Sequence, residues 1–588
     1  MTTRRNLFKF VGGSAVGALF TPAPWRLITD TALWSENWPG IPQPARGEIR
    51  TRYNHCSLCP AGCAVRARCV GDQPVSLVGV KDHPLSHGAL CAWGIAAHQV
   101  PYHPARLHSG PLEQARAAVA ARSRERVAVL DLRPGRTASW TYRRAMAALP
   151  NGVYIAAPEP AWGFDLSAAR TVLSLGAPLA DGWGTPGNVF AARQRFRLIQ
   201  ADPVETRTAS FADLWLPVRA GSEAALALAL AGEISAAEAA RLTGLEEGLV
   251  RDVIADLRAH GPSLVVAPQP TPEAMRANAA LGAPGRTLVA RRETPVPDAW
   301  RKSTPVTALE AVPDGSLSVL LIDESAAGET IPWTAIAPKL AGGALVTAFS
   351  WTAGGYGKRA RFTLPAPVCG EALEDIPAAL DGVAAAFRLS TPWSAPATSV
   401  VDPAEFVAKL AGIAADGAMR ERADAIQQTG RGQVFTPADG KTAALKDMTK
   451  DDFWKALNAG ACWIDEKPQM NADKRGSEKN AVIGVHPRLS AAENGPLAIV
   501  AGEGAPPPLV SPLSSKLYRE SNLRQAPDRI ALAPATARAC GVSEGGRAFL
   551  ETGGTRLPVV VAIDPGLPPD VVRISGDCAS ARGKVVPA

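Results

Sequence analysis

"YNHCSLCPAGC", residues 53–63, packs Cys56, Cys59 and Cys63 into eight positions, and Cys91 follows after 27 intervening residues. A tight triplet supplies three thiolates from one loop, and the distant cysteine closes the site. Four thiolates at such spacing suit an iron–sulfur cluster. Zinc is the rival, since it also takes four cysteines, but zinc sites usually come as two C-x2-4-C knuckles and here the second half has one cysteine. Disulfides are a third reading. Cys69, Cys369, Cys462, Cys540 and Cys578 are odd in number and scattered. In a chain folded before export they read mostly as buried thiols.

A chain of 588 residues is too long for a single core and implies several domains. Its 53 Gly and 51 Pro are numerous but not periodic, which points to many loops rather than a fibrous repeat. The net charge of +7 is spread along the chain, with no dense basic block interleaved with aromatics, so nucleic-acid binding is not indicated.

The N-terminus reads as a targeting segment. Arg4 and Arg5 precede an apolar run, Phe10 to Phe20, rich in Gly and Ala. A positive region before a short, mildly hydrophobic stretch is an export pattern, and the paired arginines make it resemble a twin-arginine signal. No A-x-A site follows, and the run approaches the roughly 20 residues that cross a bilayer, so it could stay as an anchor. A Trp- and Pro-rich stretch with Trp25, Trp34 and Trp38 then leads to the cysteines.

Further along, "RVAVLDL", "SLVVAPQ", "LSVLLID" and "GALVTAFS" are short β-branched runs with helical patterns between them, as in parallel α/β sheets. "RFRLIQADP" reads as a buried strand ending in Asp202, an acid where α/β folds meet nucleotides, or as a plain Asp-Pro turn. "GGRAFLETGGTRLPVVVAID" alternates and turns on Gly553-Gly554, which predicts a β-hairpin in a C-terminal barrel. Residues 395–485 are polar, with little strand pattern, and are expected to form a helical insertion or linker.

"CSLCPAGC", the gap, "CAWG" and "VPYHPARLHSGPL" resemble the N-terminal [4Fe-4S] segment of the molybdopterin (bis-guanine-dinucleotide) oxidoreductase family. "VLSLGAPL" at 172–179, residues 195–231 and residues 512–552 continue the resemblance, which runs from residue 53 to about 575. It implies an α/β multidomain fold: an N-terminal [4Fe-4S] domain, parallel α/β domains and a C-terminal β-barrel. The expected divisions are 1–25 signal or anchor, 26–48 arm, 49–110 cluster domain, 111–394 α/β domains, 395–485 insertion or linker, and 486–588 barrel.

Departures from the family bear on function. Where active members carry Cys-x-Lys-Gly, this chain has Cys91-Ala92-Trp93-Gly94. An indole N–H on a bulky apolar body replaces a charged donor. The stretch matching the family's metal-ligand loop, "NGVYIAAPEPAWG", has no Cys, Ser or Asp, and Glu159 is its only anionic side chain. In "FSWTAGGYGKRARFTLPA" the basic residues Lys358, Arg359 and Arg361 stand where the family has acids. Trp93, Trp162 and Trp183 are candidate fillers of a vacated cofactor cleft.

This pattern resembles the non-catalytic branch of the family found as the molybdopterin-like subunit of menaquinone reductase complexes, and the related module of alternative complex III. It implies one [4Fe-4S] cluster on Cys56, Cys59, Cys63 and Cys91, no catalytic residues and no molybdopterin guanine dinucleotide. The implied setting is the periplasmic side of the cytoplasmic membrane. The implied partners are a multihaem cytochrome c, a ferredoxin-like iron–sulfur subunit, and an integral membrane quinone-binding subunit. A catalytic molybdenum or tungsten enzyme and a redox-silent scaffold are the alternatives.

Overall fold

The computed structural model describes residues 47–465, apart from 104–105, 157–161, 181, 292, 326–330, 332 and 394–398, together with 497–501, 528–552, 555–574, 582–588 and Asn6, Lys9, Gly13 and Ser14. Most of the 1–25 segment and the arm, with Trp25, Trp34 and Trp38, lie outside the described residues, as do Glu159, Gly553, Gly554, Cys578 and positions 512–527. No helix among the described residues is long and apolar enough to cross a membrane.

Strands Ile49–His55, Ala64–Val70 and Gln73–Gly79 form an antiparallel sheet. His55 pairs with Ala64, so residues 56–63, with their three cysteines, are the loop of the first hairpin. Alternation sets one face against a small core of Val65, Ala67, Cys69 and Leu77, to which Cys369 and Trp393 are added from far along the chain.

Two parallel sheets follow. The larger runs in the order Val306–Thr307, Gly152–Ala156, Val127–Asp131, Leu317–Asp323, Leu340–Ser350, Phe362–Pro365. The smaller runs Ser263–Val266, Thr171–Leu175, Arg197–Asp202, Leu214–Pro217. Val127–Asp131 and Thr171–Leu175 are buried at every position, as expected for strands covered on both faces. Helices Thr137–Ala148 and Pro403–Ala411 help cover one face of the larger sheet. Helix Ala224–Ala231, sequence AALALALA, is apolar all round and correspondingly lies inside the smaller domain's core. Each fully buried Leu or Val there contributes roughly 1.5–3 kcal/mol.

The direction of strand addition reverses once in each sheet. In the larger sheet the reversal falls between Val127–Asp131 and Leu317–Asp323. In the smaller it falls between Thr171–Leu175 and Ser263–Val266. Such points leave a crevice at the carboxyl ends of the strands, where α/β folds bind ligands.

The stretch expected as a helical insertion or linker differs from that reading. It contains helices Pro403–Ala411, Ala418–Gln428 and Lys450–Asn458, but also strands Gln433–Thr436, Lys441–Ala444 and Cys462–Asp465. These complete a five-stranded sheet with Ala385–Ser390 and Glu374–Asp375. The strands have four residues each, too short for their period to stand out. Cys462–Asp465 pairs with the sequence-distant Ala385–Ser390 on one side and with Gln433–Thr436 on the other, and this pairing, together with the burial of Val434 and Trp463, decides their conformation. At the C-terminus six strands close a barrel. The expected hairpin is there: Arg547–Thr552 pairs antiparallel with Thr555–Ile563, with Thr552 opposite Thr555.

Candidate iron–sulfur site

The loop 56–63 is closed by its own backbone. The Cys56 N–H donates to the Cys63 carbonyl at 2.9 Å, and the Gly62 N–H to the Cys59 carbonyl at 3.2 Å. Gly62 has φ +54°, and a Cβ there would stand 2.6 Å from the Arg388 guanidinium, so only glycine suits the position.

Two buried arginines hold the loop from outside. Arg388, on strand Ala385–Ser390, donates to the carbonyls of Ala61 at 2.7 Å, Gly62 at 3.1 Å and Pro60 at 3.3 Å. Arg133, just beyond strand Val127–Asp131, donates to the Ser57 carbonyl at 2.6 Å and the Cys59 carbonyl at 3.3 Å. Burial lowers the pKa of both guanidiniums, opposed by anionic neighbours that include Cys59. The Nε atoms of both are buried without a hydrogen-bond partner among the described residues. Neither arginine was singled out from the sequence, and no local pattern marks them, because they meet the loop across 76 and more than 320 residues of chain.

Cys56 and Cys63 are buried, and Cys59 and Cys91 half-buried. Cys59 lies close enough to Cys56, and Cys59 and Cys91 close enough to Cys63, to act on their thiols electrostatically. Burial raises the Cys59 thiol, and Cys91 beside it raises it further. Burial, then Cys59 and Cys91, raise Cys63. The Cys369 thiol beside it, then burial, raises Cys56. Cys91 precedes the helical turn Ala92–Ile95, and its Sγ accepts from the Gly94 N–H at 3.4 Å. Among the described residues no three His, Cys, Asp or Glu side chains converge where one ion could sit. A cube of four irons takes one thiolate per iron and needs no such convergence. Soft thiolates beside two buried guanidiniums with orphaned donors therefore fit an anionic [4Fe-4S] cluster.

At both reversals side chains of the chain itself meet at the strand ends. In the larger sheet Asp131 and Asp323 end the strands on either side of the reversal. Arg136 donates to Asp323 at 2.6 Å and to Asp131 at 3.2 Å. Tyr142 donates to Asp323 at 2.8 Å, and Tyr154 and Ser139 donate to Asp131 at 2.8 and 2.6 Å. All of these side chains are buried. In the smaller sheet the buried Trp183 indole donates to the Ala267 carbonyl at 2.7 Å, just past strand Ser263–Val266, and stands edge-on to Phe164.

Other residues singled out above fall as follows. Trp93 and Trp162 are half-buried, whereas Lys358, Arg359 and Arg361 are exposed and so do not line a buried site. The Asp202 carboxylate accepts from Gln200 at 3.1 Å and Thr206 at 3.2 Å, within its own strand and turn, in keeping with the plain-turn reading. Cys69, Cys369 and Cys462 are buried thiols, and Cys540 is half-buried.

Comparison with known proteins agrees with this geometry. Residues 49–103 match the molybdopterin oxidoreductase Fe4S4 domain. The chain is 30% identical over 270 residues to the menaquinone reductase molybdopterin-binding-like subunit of Nitratidesulfovibrio vulgaris, covering 39% of each chain. It is 26% identical over 233 residues to a sulfite dehydrogenase subunit of Allochromatium vinosum, covering 32% of this chain and 24% of that one. The matches thus span well under half the length of these relatives. In fold it is similar to acetylene hydratase from Pelobacter acetylenicus, with a TM-score of 0.61 at 14% identity, over 89% of this chain and 92% of that one. Residues 49–103 thus match a molybdopterin oxidoreductase Fe4S4 domain, and the chain that carries them has a mixed α/β multidomain fold similar to that of acetylene hydratase.

Proposed function

We propose that this chain is the iron–sulfur electron-transfer subunit of a membrane-associated menaquinone reductase complex, with one [4Fe-4S] cluster on Cys56, Cys59, Cys63 and Cys91 and no molybdopterin site of its own. The observation that carries this reading is that hydrogen-bonded side chains meet at both reversals, the Arg136–Asp131–Asp323 group at one and Trp183 at the other. A large polar cofactor needs donors at such strand ends, and the donors of Arg136 and Trp183 are bonded within the chain. The likeness to a menaquinone reductase subunit supports membership of such a complex.

When bound, the cluster supplies one-electron exchange. The residues of this chain do the rest. Arg133 and Arg388 hold the loop carbonyls and set positive charge beside the thiolates, which favours an anionic centre. The packed core of Cys69, Leu77 and Trp393 behind Cys56 keeps water from that side. In this reading the chain is exported by the twin-arginine route to the periplasmic side of the membrane. There it relays electrons from a multihaem cytochrome c, through a ferredoxin-like subunit, to a quinone-binding membrane subunit.

The test is the metal content of the purified complex: about four irons assigned to this chain and neither molybdenum nor tungsten. Stoichiometric molybdenum or tungsten would replace this reading with the catalytic one, which the likeness to a sulfite dehydrogenase favours. Absence of iron as well would leave a scaffold.

A further inference from the structure

Cys369 lies far from the four-cysteine pattern in sequence, yet its thiol is packed beside that of Cys56, close enough for the two to act on each other electrostatically. Its Sγ also accepts from the Ser57 backbone N–H at 3.4 Å. The two cysteines are buried in one small core with Trp393.

The turn that presents Cys369 is rigidly held. The Val368 N–H donates to the Glu371 carboxylate at 3.0 Å, and the Glu371 N–H to the Val368 carbonyl at 3.0 Å. Glu371 is paired in turn with Arg106 at 2.5 Å, both side chains fully buried. Gly370 has φ +82°, and a Cβ there would run into the Trp393 indole. The Trp393 backbone N–H donates to the Gly370 carbonyl at 3.0 Å. This is far more support than a space-filling thiol needs.

Resting on the cluster reading above, we propose that Cys369 is a positioning residue that donates its S–H to the sulfur of Cys56 and so raises the reduction potential of the cluster. Cys56 Sγ bound to iron carries no proton and can only accept. The Cys369 thiol therefore supplies the one proton between the two sulfurs. The Ser57 N–H, donating into Cys369 Sγ, orients that thiol and strengthens its donation. A donor to a ligating sulfur draws charge from it and favours the reduced, more anionic state, one of the means by which proteins set cluster potentials.

The experiment is a redox titration of the full chain in its complex, followed by electron paramagnetic resonance, with iron content measured on each sample. Cys369→Ala and Cys369→Val are expected to keep the iron and shift the midpoint to a more negative potential, while Cys369→Ser returns most of the shift. An iron-replete Cys369→Ala protein with an unchanged midpoint overturns the proposal. So does a Cys56→Ala protein with a full cluster, because Cys369 would then be a ligand. Should the Cys369 variants lose iron, the unmodified protein decides. An exchangeable proton coupling in electron–nuclear double resonance of the reduced cluster, lost in deuterated buffer and distinct from those of backbone N–H donors such as Gly94, supports the proposal, and its absence overturns it. An unmodified protein without iron removes the cluster reading itself, and this inference with it.

Discussion

The Arg388 guanidinium donates to the Ala61 carbonyl at 2.7 Å, joining a strand of the five-stranded sheet to the cysteine loop across 327 residues. The same guanidinium reaches Gly62 and Pro60, so one side chain fixes the peptide planes between Cys59 and Cys63. The loop geometry belongs to the whole fold, not to the hairpin that contains it.

Arg388→Met keeps the apolar stem and removes the donors, leaving three loop carbonyls without a partner. A hydrogen bond to a charged group contributes about 1.5–3 kcal/mol. The variant should lose several-fold in iron occupancy after purification and unfold at lower urea. Arg388→Lys recovers part of this at most, because one ammonium cannot span carbonyls that a planar fork reaches together. Iron content equal to the unmodified protein would show that the loop holds itself.

Cys59→Ala removes one of four ligands from a half-buried position. The expected result is loss of this chain's [4Fe-4S] signal in electron paramagnetic resonance, with a matching fall in iron. An unchanged spectrum and iron count would refute the ligand assignment.

Arg136→Met leaves Asp131 and Asp323 buried without their cation, which should cost about 3–5 kcal/mol at neutral pH. Burial alone would raise the Asp323 carboxyl, but Arg136 and the Ser325 and Tyr142 hydrogen bonds hold it below the ordinary carboxylate range. A group lowered in the folded state stabilises above its unfolded pKa, and that stability is lost as pH falls through the folded value. The deficit of the variant should therefore be full at pH 7 and shrink below about pH 4, as pH falls toward the lowered folded value of Asp323. Urea unfolding at the two pH values measures it, and a deficit independent of pH would contradict the ion-pair account.

Changing Arg4 and Arg5 together to Lys should strand the protein in the cytoplasm if the N-terminus is read by the twin-arginine route. Cell fractionation gives the answer. Normal delivery of the double-Lys protein would reject the route.

Much of the architecture was legible because it rests on short-range pattern. The parallel strands at 127–131, 263–266 and 317–323 are short, largely apolar runs, and the 547–563 hairpin alternates about a glycine pair. The strands at 433–436 and 462–465 were not legible. Four residues carry too little period, and the sheet forms only when 462–465 lies between 433–436 and the distant strand 385–390.

The same division applies to the site. Spacing alone marked Cys56, Cys59, Cys63 and Cys91, since three ligands from one loop must be close in sequence. Which cations neutralise those thiolates, Arg133 and Arg388, and that a fifth thiol, Cys369, stands against Cys56, only the tertiary structure decided. Likewise the sequence marked Trp183 as bulky, but only the folded sheet sets its indole against Ala267, and only there do Asp131, Arg136 and Asp323 meet. The physical reason is common to all of them. A burial or hydrogen-bond energy depends on distance in space, and a residue's local sequence says nothing about partners that the chain brings back from hundreds of residues away.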